Sequence, residues 1–311
     1  MLEKIFSIKS FNKTHNLVRF LGIKFKFPKS SVKKNLKRQN YYVYAKKNLD
    51  ITTIPPAEGQ VRDIQLANLA LLKEMDYVCK QNGLTYWLDF GTLLGAVRHR
   101  GFIPWDDDID LGMPRVDYNK LIQAFSQTSK NPDIFVDYCQ CTNKPCQLIL
   151  KIQHKKCSKL FVDIFPYDQF SENLSVNEQL MESKKLKNIR ILIQKKYNKN
   201  LLNEEIKTIL EKQRYVVEKQ SQSKLLFWGL DYSHHWKNWF TDSDTIYPLK
   251  EIEFEKNMFP CFNYVEKYLQ KVYGNYMKYP KKFGYGHNMF TNLTEEEKAV
   301  IMELRKAEVV L

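Results

Sequence analysis

From Val61, the apolar residues Ile64, Ala67, Leu71, Met75 and Val78 recur at intervals of three and four, the period of one buried helix face. Asn82-Gly83 follows as a stop signal, so a helix is expected to open the folded body. The pattern then shortens. Residues 84–90 read as a strand, Gly91-Thr92 turns into a short helix from Leu93 to about His99, and residues 105–112 read as a second strand. Gly101 and Pro104 punctuate the return between those last two. A helix is expected over 115–127, with strands near 134–138 and 146–153 and over the apolar run Leu160-Phe-Val-Asp-Ile-Phe-Pro166. After that the character changes. Residues 171–230 are rich in Lys, Glu and Gln and read as helical, so 171–245 is expected to form a helical insert or lid without visible site chemistry. The chain closes with a helix announced by the capping box Thr294-Glu-Glu-Glu297.

Within that pattern the stretch from Trp105 to Gly112 carries the chemistry. Read as a strand, it sends Asp106, Asp108 and Asp110 to one face and Asp107, Ile109 and Leu111 to the other. Three carboxylates about 7 Å apart along one face repel unless protons or cations sit among them. An all-oxygen donor set favours Mg²⁺ or Mn²⁺. A solvated acidic loop is the plain alternative, but Ile103, Trp105, Ile109, Leu111 and Met113 flank the cluster. An EF-hand fits poorly, because Leu111 stands where its glycine belongs and Asp117 where its glutamate belongs. Asp163 interrupts another apolar run, where a lone buried carboxylate would cost several kcal/mol unless paired or metal-bound. Capping of a turn is its structural alternative.

Composition adds limits. With 311 residues, 43% of them hydrophobic and 14% aromatic, the chain can bury a substantial core. Its net charge of +14 is uneven. Residues 1–40 hold eleven Lys and Arg against one acid, Glu3, so ten of the fourteen net positive charges fall there. In that segment Ile23-Lys-Phe-Lys-Phe27 alternates apolar and basic positions as a strand would, which suits an anionic membrane surface. Nucleic acid is the competing partner and a solvated tail the plain one; the basic charge lies away from the acidic site, so nucleic acid is not expected. Residues 41–60, ending in Ile54-Pro-Pro-Ala-Glu-Gly-Gln60, read as a linker. No apolar run approaches the roughly 18 residues of a membrane span and no signal-peptide pattern is visible, so a cytoplasmic location is expected. The six cysteines fit reduced thiols; Cys139, Cys141, Cys146 and Cys157 with His154 form a spacing that could hold zinc but lacks the usual paired C-x₂-C.

Gly91-Thr-Leu-Leu-Gly-Ala-Val-Arg-His99 with Pro104-Trp-Asp-Asp-Asp-Ile-Asp110, together with Phe161-Val-Asp-Ile-Phe-Pro166 and Tyr273-Gly274, closely resembles the LicD family, which includes bacterial phosphocholine transferases and the animal fukutins. The resemblance covers roughly residues 61–290. It implies an α/β (α+β) fold: a polymerase-β-like nucleotidyltransferase core of mixed sheet and helices over 61–170, the helical insert over 171–245, and a C-terminal helical region, 246–311, completing the domain. It implies Asp108, Asp110 and Asp163 as catalytic carboxylates and metal ligands, with Asp163 the candidate base and Asp106 supporting the metal. Gly91 and Thr92 would lie at the nucleotide phosphates, with Arg98 and Lys151 as further phosphate contacts; a structural role at the helix end suits Arg98 and His99 equally well, and a solvated side chain suits Lys151. His287, in Gly286-His-Asn288, has an open role. The implied reaction transfers phosphocholine from CDP-choline to a sugar hydroxyl of a lipid-linked or surface glycan, with Mg²⁺ or Mn²⁺, at the inner face of the cytoplasmic membrane. Phosphoribitol, glycerol phosphate and sugar phosphate are alternatives within the class. A non-catalytic glycan- or membrane-binding protein is the alternative outside it.

Overall fold

The computed structural model describes residues 6–10, 15–20, 23–28, 44–140, 146–170, 172–197, 201–217, 224–280 and 292–309. It divides into two units, Met1–Ile54 with Tyr279–Phe283, and Pro55–Lys278 with Gly284–Leu311. In the first, β1 (Phe6–Ser10), β2 (His15–Phe20) and β3 (Ile23–Pro28) form an antiparallel meander, and β3 is the strand expected from the Ile23-Lys-Phe-Lys-Phe27 alternation.

In the second unit, α1 (Gln60–Asn82) buries Val61, Ile64, Ala67, Leu71, Met75 and Val78, the residues whose spacing announced it. Gly83 ends it at φ 62°, a left-handed conformation that glycine adopts without Cβ strain. A seven-stranded mixed sheet follows. Its spine is β8 (Cys157–Gln169), buried through most of its length. One edge of β8 takes β5 (Ile109–Pro114) in parallel. The other edge takes β7 (Leu148–His154) antiparallel over its first part and β9 (Leu225–Trp228) antiparallel at its end. β4 (Trp87–Leu88) flanks β5, β6 (Ile134–Gln140) flanks β7, and β10 (Phe240–Asp242) flanks β9. The mixed sheet with flanking helices agrees with the expected fold class.

Three boundaries differ from the sequence reading. The strand at 84–90 shrinks to Trp87–Leu88, because Asp89 accepts a hydrogen bond from Phe90 N and starts α2 (Phe90–His99) early. Gly91 and Thr92 therefore lie inside the first helical turn, not before it. The acidic strand begins at Ile109, so Asp106, Asp107 and Asp108 belong to the preceding loop. Only part of the stretch 171–245 is helical, α4 (Val176–Lys196) and α5 (Asn203–Val217), after α3 (Arg115–Thr128); its end supplies β9 and β10 to the sheet. Ile193, Ile206 and Leu210 pack with Leu148 and so seat both helices on β7.

The last part runs through a short helix, α6 (Ser243–Ile246), a hairpin of β11 (Lys250–Phe254) and β12 (Asn257–Cys261), α7 (Val265–Tyr273) and α8 (Glu295–Val309). The capping box at α8 is present, with Glu297 N donating to Thr294 Oγ1 and Thr294 N to Glu297 Oε2. No helix among the described residues is long and apolar enough to cross a membrane.

Candidate active site

The acidic loop is held from behind by α1. Gln65 Nε2 donates to Asp106 O at 2.7 Å, and Asn68 Nδ2 donates to Asp107 O at 2.8 Å. Asn68 Oδ1 in turn accepts from Phe161 N on β8 at 3.0 Å. These buried amides turn Asp107 inward, where it is 1% exposed, and leave Asp106, Asp108 and Asp110 half-buried on a common cleft. The expected convergence of those three is present, although a loop and one strand residue achieve it rather than one strand face.

The opposing piece is the start of α2. Gly91 N donates to the Asp110 carboxylate, and Thr92 Oγ1 accepts from Asp110 N at 2.8 Å. A Cβ on Gly91 would lie 3.2 Å from Asp106 Oδ2 and 3.7 Å from Asp110 Oδ2, so an added methyl would press on the Asp106 carboxylate and shift it by a few tenths of an ångström. Thr92 is buried, and its hydroxyl serves the backbone of Asp110. Phe90 begins the helix at φ 36°, a strained conformation for a bulky residue. Fully buried Asp89 fixes this turn, accepting from Phe90 N at 2.8 Å, from Tyr167 Oη at 2.7 Å and from Tyr268 Oη. Burial pushes the Asp89 carboxyl up to about 6, against the pull of those donors.

The cleft between these elements has a volume of about 290 Å³. Phe90, Gly91, Asp106, Asp108 and Asp110 form one side, and Phe165, Tyr273 and the loop Tyr232-Ser-His-His-Trp236 form the other. Crowding has an electrostatic cost. Burial and the Asp108 charge raise the Asp106 and Asp110 carboxyls well above the usual range. A hard divalent cation would relieve that repulsion, and the oxygen-only donors suit one. Carboxylate oxygens of Asp106, Asp107 and Asp108 also lie within 4.8 Å of one another. Asp107 is buried and does not line the cleft, whereas Asp110 lines it together with Asp106 and Asp108.

Asp163 stands beside Asp110 as its register partner on β8, so the two share a sheet face, and its charge also raises the Asp110 carboxyl. Lys151, its register partner on β7, pairs with Asp163 Oδ1 at 2.5 Å and lies over the Phe161 ring at 4.2 Å. Lys151 is thus engaged by Asp163, and neither of the two is among the residues lining the cleft. Arg98 and His99 occupy the far end of α2, away from Gly91. Arg98 donates to Lys278 O at 3.2 Å, and His99, edge-on to Trp105, is pushed down to about 4 by burial. The Lys278 contact is of the helix-end kind expected as the structural alternative for Arg98, whose guanidinium also lies in the field of Tyr273 on the cleft wall. His287 and Cys141 lie outside the described residues. Among the described residues Cys139, Cys146, Cys157 and His154 form no metal cluster.

The loop 231–236 was not legible as part of the site. Two devices hold it. Arg115 donates to Asp168 at 2.5 and 3.0 Å and to Asp231 at 2.5 and 3.3 Å, tying the loop's first residue to β8. From the other side α4 grips it. Lys187 donates to the carbonyls of His235 and Trp236, and Ser183 Oγ accepts from Trp239 N at 2.9 Å. Trp236 stacks on Phe90 at 4.6 Å and on His235 at 4.2 Å. The density of aromatics and histidines in Tyr232-Ser-His-His-Trp236, beside a Lys/Glu-rich stretch, is the signal that could have marked it.

Residues 83–192 match the model of the LicD/FKTN/FKRP nucleotidyltransferase domain, which spans α2, the acidic loop and β8. The chain carries a LicD-family nucleotidyltransferase domain. It is similar to the lipopolysaccharide cholinephosphotransferase LicD of Haemophilus influenzae, with 28% identity over 244 residues, 71% of this chain and 92% of that protein. An uncharacterised protein of Rickettsia prowazekii is 32% identical over 120 residues, 38% of this chain and 45% of its own length. A shorter segment of 36 residues, 12% of this chain, is 56% identical to human ribitol 5-phosphate transferase FKRP, covering 7% of that protein.

Proposed function

We propose that this LicD-family protein transfers phosphocholine from CDP-choline to a sugar hydroxyl of a lipid-linked or surface glycan, releasing CMP. The observation that carries the reading is the meeting of Asp106, Asp108 and Asp110 with the N-terminal turn of α2 in one aromatic-walled cleft. In this proposal Asp106, Asp108 and Asp110 hold Mg²⁺ or Mn²⁺. When bound, the cation neutralises diphosphate charge and favours the ionised form of the attacking hydroxyl. Asp163, oriented by Lys151, accepts the hydroxyl proton as the acceptor oxygen bonds to the choline-bearing phosphorus and the bond to CMP breaks. The first turn of α2 offers its N-terminal dipole to the phosphates. Phosphocholine is favoured over a polyol phosphate because Tyr232, Phe165 and Tyr273 line the same cleft, and aromatic faces attract a quaternary ammonium. The FKRP similarity makes phosphoribitol the second reading, with the same carboxylate chemistry.

The test is thermal stabilisation with Mg²⁺ by CDP-choline, CDP-ribitol, CDP-glycerol and UDP-sugars. CDP-choline is expected to stabilise most, with Tyr232→Leu weakening its binding about tenfold and leaving CMP unaffected. Stabilisation by CDP-ribitol alone would install the second reading. A flat response to every CDP compound from folded protein would overturn both.

Gly91→Ala probes the close approach. It is expected to leave α2 folded and to weaken Mn²⁺ binding about tenfold or more, as its methyl presses on Asp106. Titration of the two proteins with Mn²⁺, followed calorimetrically, checks it.

A further inference from the structure

The helix α4 has two different sides. Its inner side is used: Gln179, Ser183, Leu186, Arg190 and Ile193 are buried, and from that side Ser183 and Lys187 hold the loop that walls the cleft. The outer side is apolar and basic together. Val176, Met181 and Leu192 are 66%, 60% and 64% exposed, and Leu180 and Ile191 are exposed with them. Among them stand Lys184, Lys185, Lys195 and Lys196, all exposed, and Glu178 is the one exposed acid on the helix. Successive steps of three and four place Val176, Leu180, Lys184, Asn188, Ile191 and Lys195 on one stripe about 30 Å long. Met181, Lys185, Leu192 and Lys196 repeat the same alternation one residue further round, so apolar and cationic side chains share the whole outer face.

A solvated helix face has no need of five bare Val, Leu, Ile and Met side chains. A nucleic-acid face would use the lysines and leave the apolar residues unexplained. An anionic lipid surface uses both, taking Leu180 and Ile191 into the headgroup boundary while the lysines reach the lipid phosphates. We propose that the outer face of α4 is a docking surface for anionic membrane. Since the inner face of the same helix grips the loop that walls the cleft, docking would hold the cleft close to lipid-borne acceptors. This inference goes beyond the donor assignment and stands whether or not CDP-choline is the donor.

The experiment is co-sedimentation of the full chain with vesicles of phosphatidylcholine, with and without phosphatidylglycerol. Two variants change α4 alone, and a third changes only the N-terminal segment. The charge variant is Lys184→Glu, Lys195→Glu, Lys196→Glu; the apolar variant is Leu180→Ser, Ile191→Ser, Leu192→Ser; the third replaces Lys33, Lys34 and Lys37 by Glu. Binding is expected only with the anionic lipid. The charge variant should weaken it about 100-fold and the apolar variant at least about tenfold, with melting temperatures unchanged. Loss only in the third variant would overturn the proposal in favour of the N-terminal segment. So would a dimer in sedimentation velocity that the apolar variant dissociates, or DNA binding that competes with the vesicles and survives the apolar variant.

Discussion

Asp108→Asn is expected to lower transfer activity by about a thousandfold while making the metal-free protein more stable. Both effects have one origin. Asp108 faces Asp106 and Asp110 in the cleft, and after burial its charge is the next cause that lifts both carboxyls above their usual range. A carboxyl whose folded value lies above its unfolded value keeps its proton longer in the folded state. Its destabilising effect therefore grows as pH rises through the interval between the two values, and remains above it. In EDTA the wild-type melting temperature should fall as pH rises from the ordinary carboxylate range toward neutrality. The Asp108→Asn variant should show a flatter fall. Added Mg²⁺ should restore wild-type stability most at neutral pH, where protons no longer compete for the oxygens, and should do little for the variant. Melting temperature against pH, with EDTA and with Mg²⁺, measures all of this without an acceptor. A variant that loses activity and also stability in EDTA would mean that Asp108 is a structural residue, and the metal assignment would fail with it.

The sequence made the site's carboxylates legible and hid its second wall, for a physical reason. Helix α1, its Gly83 stop and the capping box at Thr294 rest on contacts within a few residues, and their patterns predicted them. The acidic cluster was legible as chemistry but misread as geometry. Strand alternation suggested the convergence of Asp106, Asp108 and Asp110, whereas Gln65 and Asn68, some forty residues earlier, impose it by holding the loop's carbonyls. Local periodicity carries no record of such a hydrogen bond. The aromatic loop was hidden more thoroughly. It reaches the site because β8 is long enough to pair with β7 and then with β9, which returns the chain beside Phe165 and delivers Asp231 to Arg115. Lys151 shows the converse. Read alone it was a candidate phosphate ligand, but strand register sets it opposite Asp163.

Removing the Arg115 side chain should have the largest effect on stability. The guanidinium is 12% exposed, and its partners Asp168 and Asp231 are 0% and 4% exposed. Burial alone would pull its proton off more easily, but the two carboxylates hold the group well above its usual value. Arg115→Met leaves both carboxylates buried without that cation and should cost about 3–5 kcal/mol, against a total of about 5–15 kcal/mol for an ordinary domain. Denaturant unfolding measures the loss. The triple variant Arg115→Met, Asp168→Asn, Asp231→Asn separates charge from architecture. With no buried charge left unpaired, it should recover much of that stability. It should not recover function, because Asp231 begins the loop that carries Tyr232 and Trp236 to the cleft, and a Cβ at Gly229 would strike all three charged groups, so tightly do they fix the approach to that loop. The triple variant should therefore fold, respond to Mg²⁺ through Asp106, Asp108 and Asp110, and bind the donor at least about tenfold more weakly. Wild-type donor binding in the triple variant would show that the ion cluster only stabilises the fold and does not position the aromatic wall.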